Sequence, residues 1–243
     1  MKMIIFAKRN LKEMLRDPIS LAFGIGLPVV LLVVMSLINK SIDESINIFE
    51  IDRLAPGLAV FSLSFIILFS GLLIASDRCQ SFIIRLYASP LKPIDFILGY
   101  TLPLIPIALM QGTICFVVAL FLGLEFSLNI LLAILLMLPG ALLFISMGLL
   151  FGVLFNDKAV SGVSSIFVQV AALSSGIWFP LEIMVKSFTN FCYALPFAPA
   201  VDIVKMALTN DFSKLGIRLL VILIYTIVIY FVAVLIFKKK MKA

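Results

Sequence analysis

The sequence contains no histidine. That removes at one stroke the commonest metal ligand and the commonest general base. Three cysteines, Cys79, Cys115 and Cys192, stand far apart with no C-x-x-C spacing, so they read as packing residues rather than as a metal or disulfide set. No G-x-x-x-x-G-K-[ST] occurs, so the chain has no P-loop to cradle nucleotide phosphates. Charge is scarce as well. Only 13% of the 243 residues are Asp, Glu, Lys or Arg, where soluble domains carry about a quarter. No nucleophile, acid–base pair or metal set remains from which a membrane enzyme could be assembled.

Apolar residues fill that space, at 63% of the chain and a mean hydropathy of +1.23. This excess exceeds what one core needs and matches a chain dissolved in a bilayer. Six apolar runs reach the roughly 20 residues a crossing helix requires. They cover 19–38, 54–75, 94–124, 128–155, 159–179 and 217–237. The third and fourth exceed one crossing, and Pro103, Pro106 and Pro139 predict kinks or tilt that absorb the surplus. There is no internal repeat, so the expectation is one all-α transmembrane domain over residues 1–243.

The net charge of +6 does not mark a nucleic-acid binder, because the basic residues sit at the ends of apolar runs rather than in a stripe. In a membrane chain they set topology. With the N-terminus inside, 13 basic residues fall on the inner side and 6 on the outer, while acidic residues divide 5 to 8. Six spans return the C-terminus to the inside, where "KKKMK" anchors it. Both termini are therefore expected in the cytoplasm.

The first 17 residues start with an amphipathic basic segment rather than the pattern of a cleaved signal peptide. Ile4, Ala7, Leu11, Met14 and Leu15 cluster on one side at 100° per residue, and Arg9, Lys12, Glu13, Arg16 and Asp17 on the other. Ile5 and Phe6 break the pattern slightly. An interfacial elbow helix ending at Asp17–Pro18 accounts for the stripe; a plain topology anchor accounts only for the basic residues. Before the last span, residues 180–208 are too apolar for a free loop and too rich in proline to cross. They predict a re-entrant segment, with 181–195 a short hairpin of helices and 200–208 an interfacial turn, near an aromatic belt that includes Trp178 and Tyr193.

No span holds Asp, Glu, Lys or Arg away from its ends, which argues against a proton- or ion-coupled carrier. Mid-membrane polarity rests on Gln111, Gln169 and serines. Each glutamine is open to two readings, ligand contact or glue between helices. Such a body has no engine of its own. Between the second and third spans lies "SFIIRLYASPLKP". Residues 81–89 can form two helical turns, Pro90 ends them, and Pro93 starts the next span. The result is a short stiff helix, fit to take a push from a partner or to lie on the inner leaflet.

"LRDPISL" in the elbow, "RLYASPLKPIDFILGY" after the second span and "SSGIWFPLE" before the last together resemble the type-2 permease family of ATP-binding-cassette (ABC) transporters, in its bacterial half-transporter form without a fused ATPase. The resemblance implies a bacterial inner-membrane protein that pairs with a second permease, itself or a sister chain, over two ABC ATPase subunits. ATP and Mg2+ would bind in those partners and no cofactor in this chain. It implies a coupling helix over 81–92, with Arg85, Leu86, Tyr87, Ala88, Ser89, Pro90, Leu91 and Lys92 docking the ATPase beside Lys12, Arg16 and Asp17. A substrate path would run along Ser62, Ser64, Phe65, Phe69, Gln111, Ser165, Gln169 and Leu173 to an outer gate at Gly176, Phe179 and Pro180. A charge-free path favours outward movement of a lipophilic or amphipathic cargo such as a drug, a lipid or a hydrophobic peptide. Polysaccharide export, a non-ABC secondary carrier and a peptide-sensing immunity subunit are the alternatives.

Overall fold

In hydrocarbon every backbone N–H and C=O must be satisfied within the chain, and for single apolar runs that means helix. The computed structural model describes residues 2–41, 50–79 and 93–240, and every regular element among them is helical. In chain order they are α1 (Lys2–Leu15), α2 (Pro18–Ser41), α3 (Ile51–Cys79), α4 (Pro93–Leu122), α5 (Asn129–Leu136), α6 (Leu138–Leu154), α7 (Asp157–Ser174), α8 (Lys186–Ala194), α9 (Phe197–Thr209) and α10 (Leu215–Lys240). Among the described residues, α2, α3, α4, the α5–α6 pair and α10 are long and apolar enough to cross a membrane. The number becomes six if α8 and α9, which meet at 88°, count as one broken span.

The run expected at 159–179 is helical as α7, but only over 18 residues. It opens on Asp157 and Lys158 and carries Ser161, Ser164, Ser165 and Gln169, so it is shorter and more polar than its neighbours. Asn156 caps its start, accepting a hydrogen bond from the Ala159 N–H at 3.0 Å. Pro103 and Pro106 lie within a continuous α4. The fourth run instead breaks at Met137, two residues before Pro139. Asp17 caps α2, with Pro18 in its first turn, and a π-helical turn follows over Ala22–Gly26.

α3 is the hub. Within its apolar 18-residue stretch 83% of residues are buried, against 22% for that of α2 and 17% for that of α10, which face outward. It packs against α2, α4, α6 and α7. Without a hydrophobic force between helices in lipid, such packing depends on small residues that let backbones approach. Gly148 and Gly152, one G-x-x-x-G step on α6, do this against α3. A Cβ on Gly148 would stand 2.5 Å from the Ile67 carbonyl oxygen, and one on Gly152 2.5 Å from that of Gly71. Arg78 then closes the seam, donating to the carbonyls of Gly152 and Val153 at 2.7 and 2.6 Å, at the α6 C-terminus where a cation suits the helix dipole.

The segment expected as an interfacial turn at 200–208 lies in α9, which is covered by packing. Phe197, Ala200, Val201, Ile203, Val204 and Ala207 are buried against α5, α10 and α3. Its sequence reads as interfacial because it is short, but tertiary packing covers it. We call the end of the bundle that carries α1 the near face and the opposite end the far face.

Candidate functional site

On α3, Phe61, Phe65 and Leu68 follow one another at steps of four and three, which places them on one side of the helix. That side faces Leu27 and Leu31 of α2 and Ser165, Val168, Gln169 and Ala172 of α7, with Trp178 at the far end. The three helices enclose a groove of about 370 Å³. The Phe61 and Phe65 rings meet edge to face, 5.4 Å apart. Among the described residues no charged side chain lines the groove, and its polar lining residues are Ser165 and Gln169. Such a surface accepts apolar bodies with a few hydrogen-bonding atoms and rejects bare charge.

Of the residues expected on a substrate path, the groove gathers Phe65, Ser165 and Gln169. Ser62 and Ser64 turn away. Both are buried, and their hydroxyls donate to the Ala59 and Phe61 carbonyls of their own helix at 2.6 Å. Leu173 is 69% exposed, outside the groove, on the flank of α7 that also exposes Ile166 and Val170. Phe69 lies one turn nearer the near face; its ring edge and the amide of Gln111 of α4, which is fully buried, both adjoin Gly24 of α2. Sequence reasoning missed Phe61, Leu68, Leu27, Leu31 and Trp178. The four-and-three spacing on α3 could have supplied Phe61 and Leu68; nothing local announces the others.

At the far face Gly176 ends α7 with φ +73°, a left-handed conformation that favours glycine. A Cβ there would also stand 2.8 Å from Leu181. Arg53, at the start of α3, donates to the Gly176 carbonyl at 3.2 Å, so this turn is fixed to the hub. Phe179 is exposed, and Pro180 leads into a 3-10 turn over Leu181–Ile183. Beyond it, Arg218 of α10 pairs with Asp202 at 3.2 Å and lies 3.8 Å over the Tyr193 ring, joining α8 and α9 to α10.

The near face holds the arrangement the sequence concealed. α1 does not rest on its expected stripe alone, since Ile4 and Leu15 are exposed. Its buried face is Phe6, Ala7, Asn10 and Met14, and Phe6 packs edge-on against Tyr100 at 4.9 Å. Arg9 grips Asp77, at the end of α3, with two hydrogen bonds of 2.7 and 2.8 Å. It also pairs with Glu13 at 2.7 Å. Tyr100 donates to Asp77 at 2.8 Å, and Asn10 to the Gly99 carbonyl at 3.1 Å. Burial works against the Arg9 charge, but the hydrogen bond and field of Asp77 outweigh it and raise its pKa further. Burial raises the Glu13 carboxyl, with Arg9 opposing and Asp77 adding to the rise.

This cluster ties α1 to the two helices, α3 and α4, that flank residues 80–92. The expected coupling helix, Arg85 to Lys92 included, lies outside the described residues. Lys12, Arg16 and Asp17 of the same end are exposed.

A bundle of helices long and apolar enough to cross a membrane, packed around an apolar groove, is the architecture of an integral membrane protein. The family model for the ABC-2 type transporter matches residues 1–209, most of the chain. The protein therefore belongs to the ABC-2 type transporter family and is a permease subunit of an ABC transporter, a family that works in association with an ABC ATPase. No individual curated protein matched it.

Proposed function

We propose that the chain is the permease of an exporter that moves a lipophilic or amphipathic substrate outward, driven by a separate ATPase docked on residues 81–92. The single observation that carries the cargo class is the groove, 370 Å³ with no charged side chain among the described residues. Both termini lie in the cytoplasm of a bacterial cell in this reading, which the charge bias of the sequence supports. The exposed Ile166, Val170 and Leu173 of α7 suit pairing with a second permease. ATP and Mg2+ bind in the partner, whose closure drives the near-face helices together. The clamp on Asp77 passes that movement from α1 and the docking segment into α3, which walls the groove. Transport follows only because the two states bind substrate with different affinity.

The test is flux in proteoliposomes holding this chain and an ATPase subunit encoded next to it. ATP-driven movement of a fluorescent short-chain phospholipid is expected. Gln169→Glu, which places a carboxylate in the groove, is expected to cut it about tenfold or more, since an unpaired charge must be desolvated there. Flux that follows an ion gradient and ignores ATP restores the carrier reading. ATP-driven movement of an oligosaccharide, with the lipid probe left behind, restores polysaccharide export.

A further inference from the structure

α2 forms one wall of the groove through Leu27 and Leu31. The same two leucines, with Ala22, Phe23 and Val30, line a recess of about 310 Å³ that opens outward, where Phe23 and Val30 are exposed. Open space therefore lies on two sides of one segment, and close packing does not hold that segment in a single position. Just before it the helix widens into the π turn over Ala22–Gly26. Pro28 gives the local reason. It has no N–H to offer the Gly24 carbonyl four residues earlier, and its ring crowds that carbonyl in an α-helix. Helices bend at such features, and π turns gather at functional sites.

An independent observation lies on the inner side of the same turn. Gln111 of α4 is fully buried, and neither atom of its amide has a hydrogen-bond partner among the described residues. An unmet amide in an apolar interior costs stability and is rare in native structures. Its Nε2 stands 2.7 Å from where a Cβ on Gly24 would sit, so the absence of that side chain lets the amide lie against the α2 backbone. A donor without an acceptor thus stands beside the residue whose carbonyl proline has deprived of its usual donor.

We propose that Gln111 is a positioning residue for transport, acting through α2. When α2 bends at the π turn, the Gln111 amide donates to the Gly24 carbonyl and holds Leu27 and Leu31 in a second position against the groove. α1 joins α2 at Asp17–Pro18, so a displacement of α1 at the near face reaches the π turn before it reaches the groove. The described state leaves the amide unpaired and the bent state pairs it. A bond made in one state only is what biases a two-state element. The inference rests on the groove being the substrate path and names what moves its wall.

Gln111→Met keeps the length of the side chain and removes both polar atoms, and it is read in two ways. In the purified chain alone its thermal midpoint is expected to rise by about 2–6 °C, because the described state loses an unmet amide. In proteoliposomes with the ATPase subunit encoded next to the chain, ATP-driven movement of the fluorescent phospholipid is expected to fall about tenfold, with the ATPase still retained. A residue that serves structure alone would lower both readings together. Pro28→Ala returns an N–H to the Gly24 carbonyl and is expected to bring the same loss of flux. The double variant Gln111→Met/Pro28→Ala is expected to lose no more than either single one, since both act on one acceptor. A midpoint lowered or unchanged in Gln111→Met overturns the proposal, and so does wild-type flux in that variant. The midpoint is measured without an ATPase, so a wild type lacking ATP-driven flux beside a raised midpoint fails the transport reading alone. ATP-driven flux that Gln111→Met leaves untouched fails this inference alone.

Discussion

Arg9→Ala is expected to destabilise the protein by about 3 kcal/mol, read as a fall in the thermal midpoint of the purified chain. Asp77 is 1% exposed, and Arg9 is the cation that grips it with two hydrogen bonds. Removing the guanidinium leaves a carboxylate buried with only the Tyr100 hydroxyl as a hydrogen-bond donor in the cluster, and the desolvation of that charge is then uncompensated. Arg9→Lys is expected to fall between, because an ammonium lacks the planar fork that meets both carboxylate oxygens. The double variant Arg9→Leu/Asp77→Leu is expected to recover much of the lost stability, since neither charge is then buried alone. It is also expected to lose the stimulation of ATPase by substrate, because α1 is no longer fastened to α3. A midpoint unchanged in Arg9→Ala contradicts the clamp. A double variant with wild-type stimulation contradicts its role in coupling.

Gly152→Leu is expected to abolish the folded protein, measured as loss of the monodisperse peak in detergent. Even a Cβ there meets the Gly71 carbonyl oxygen at 2.5 Å and Ile74 at 2.8 Å, and backbone cannot step aside as a flexible side chain does. Gly152→Ala is expected to cost about 1–3 kcal/mol, the usual range for overpacking. Gly26→Ala supplies the control, because a Cβ at Gly26 has nothing within 4 Å. Its melting is expected to match wild type. If Gly152→Ala and Gly26→Ala melt alike, the close approach of α3 and α6 is not what holds the hub.

The helices were legible because a crossing helix announces itself by length and composition alone. The turn at Asp17–Pro18 and the start of α4 at Pro93 were legible for a local reason, proline's fixed φ and missing N–H. α7 was readable as another apolar run, but which of its polar residues face the groove, Ser165 and Gln169 rather than Ser161 and Ser164, requires the fold. The clamp was not legible. Arg9 and Asp77 are 68 positions apart, and each by itself reads as a topology charge at a helix end. Asn10 lies in "KRNLKE", which looks like a solvated face, yet it is fully buried. Phe6, which seemed to spoil the α1 stripe, marks the side that packs on α4. Ser62 and Ser64 were placed on the path by their position on the second span, but a buried serine in lipid finds its nearest acceptor in its own helix. Periodicity separates Phe61, Phe65 and Leu68 from them; the partners across the groove require the fold.

The proposed function depends on residues 81–92 receiving an ATPase. The direct measurement is co-purification of the detergent-solubilised chain with the ATPase subunit encoded next to it, comparing wild type with Leu86→Asp and Tyr87→Asp. Wild type is expected to retain the ATPase and both charged variants to lose it while still folding. An ATPase that stays bound to both variants as to wild type, or that never binds, contradicts docking at this segment.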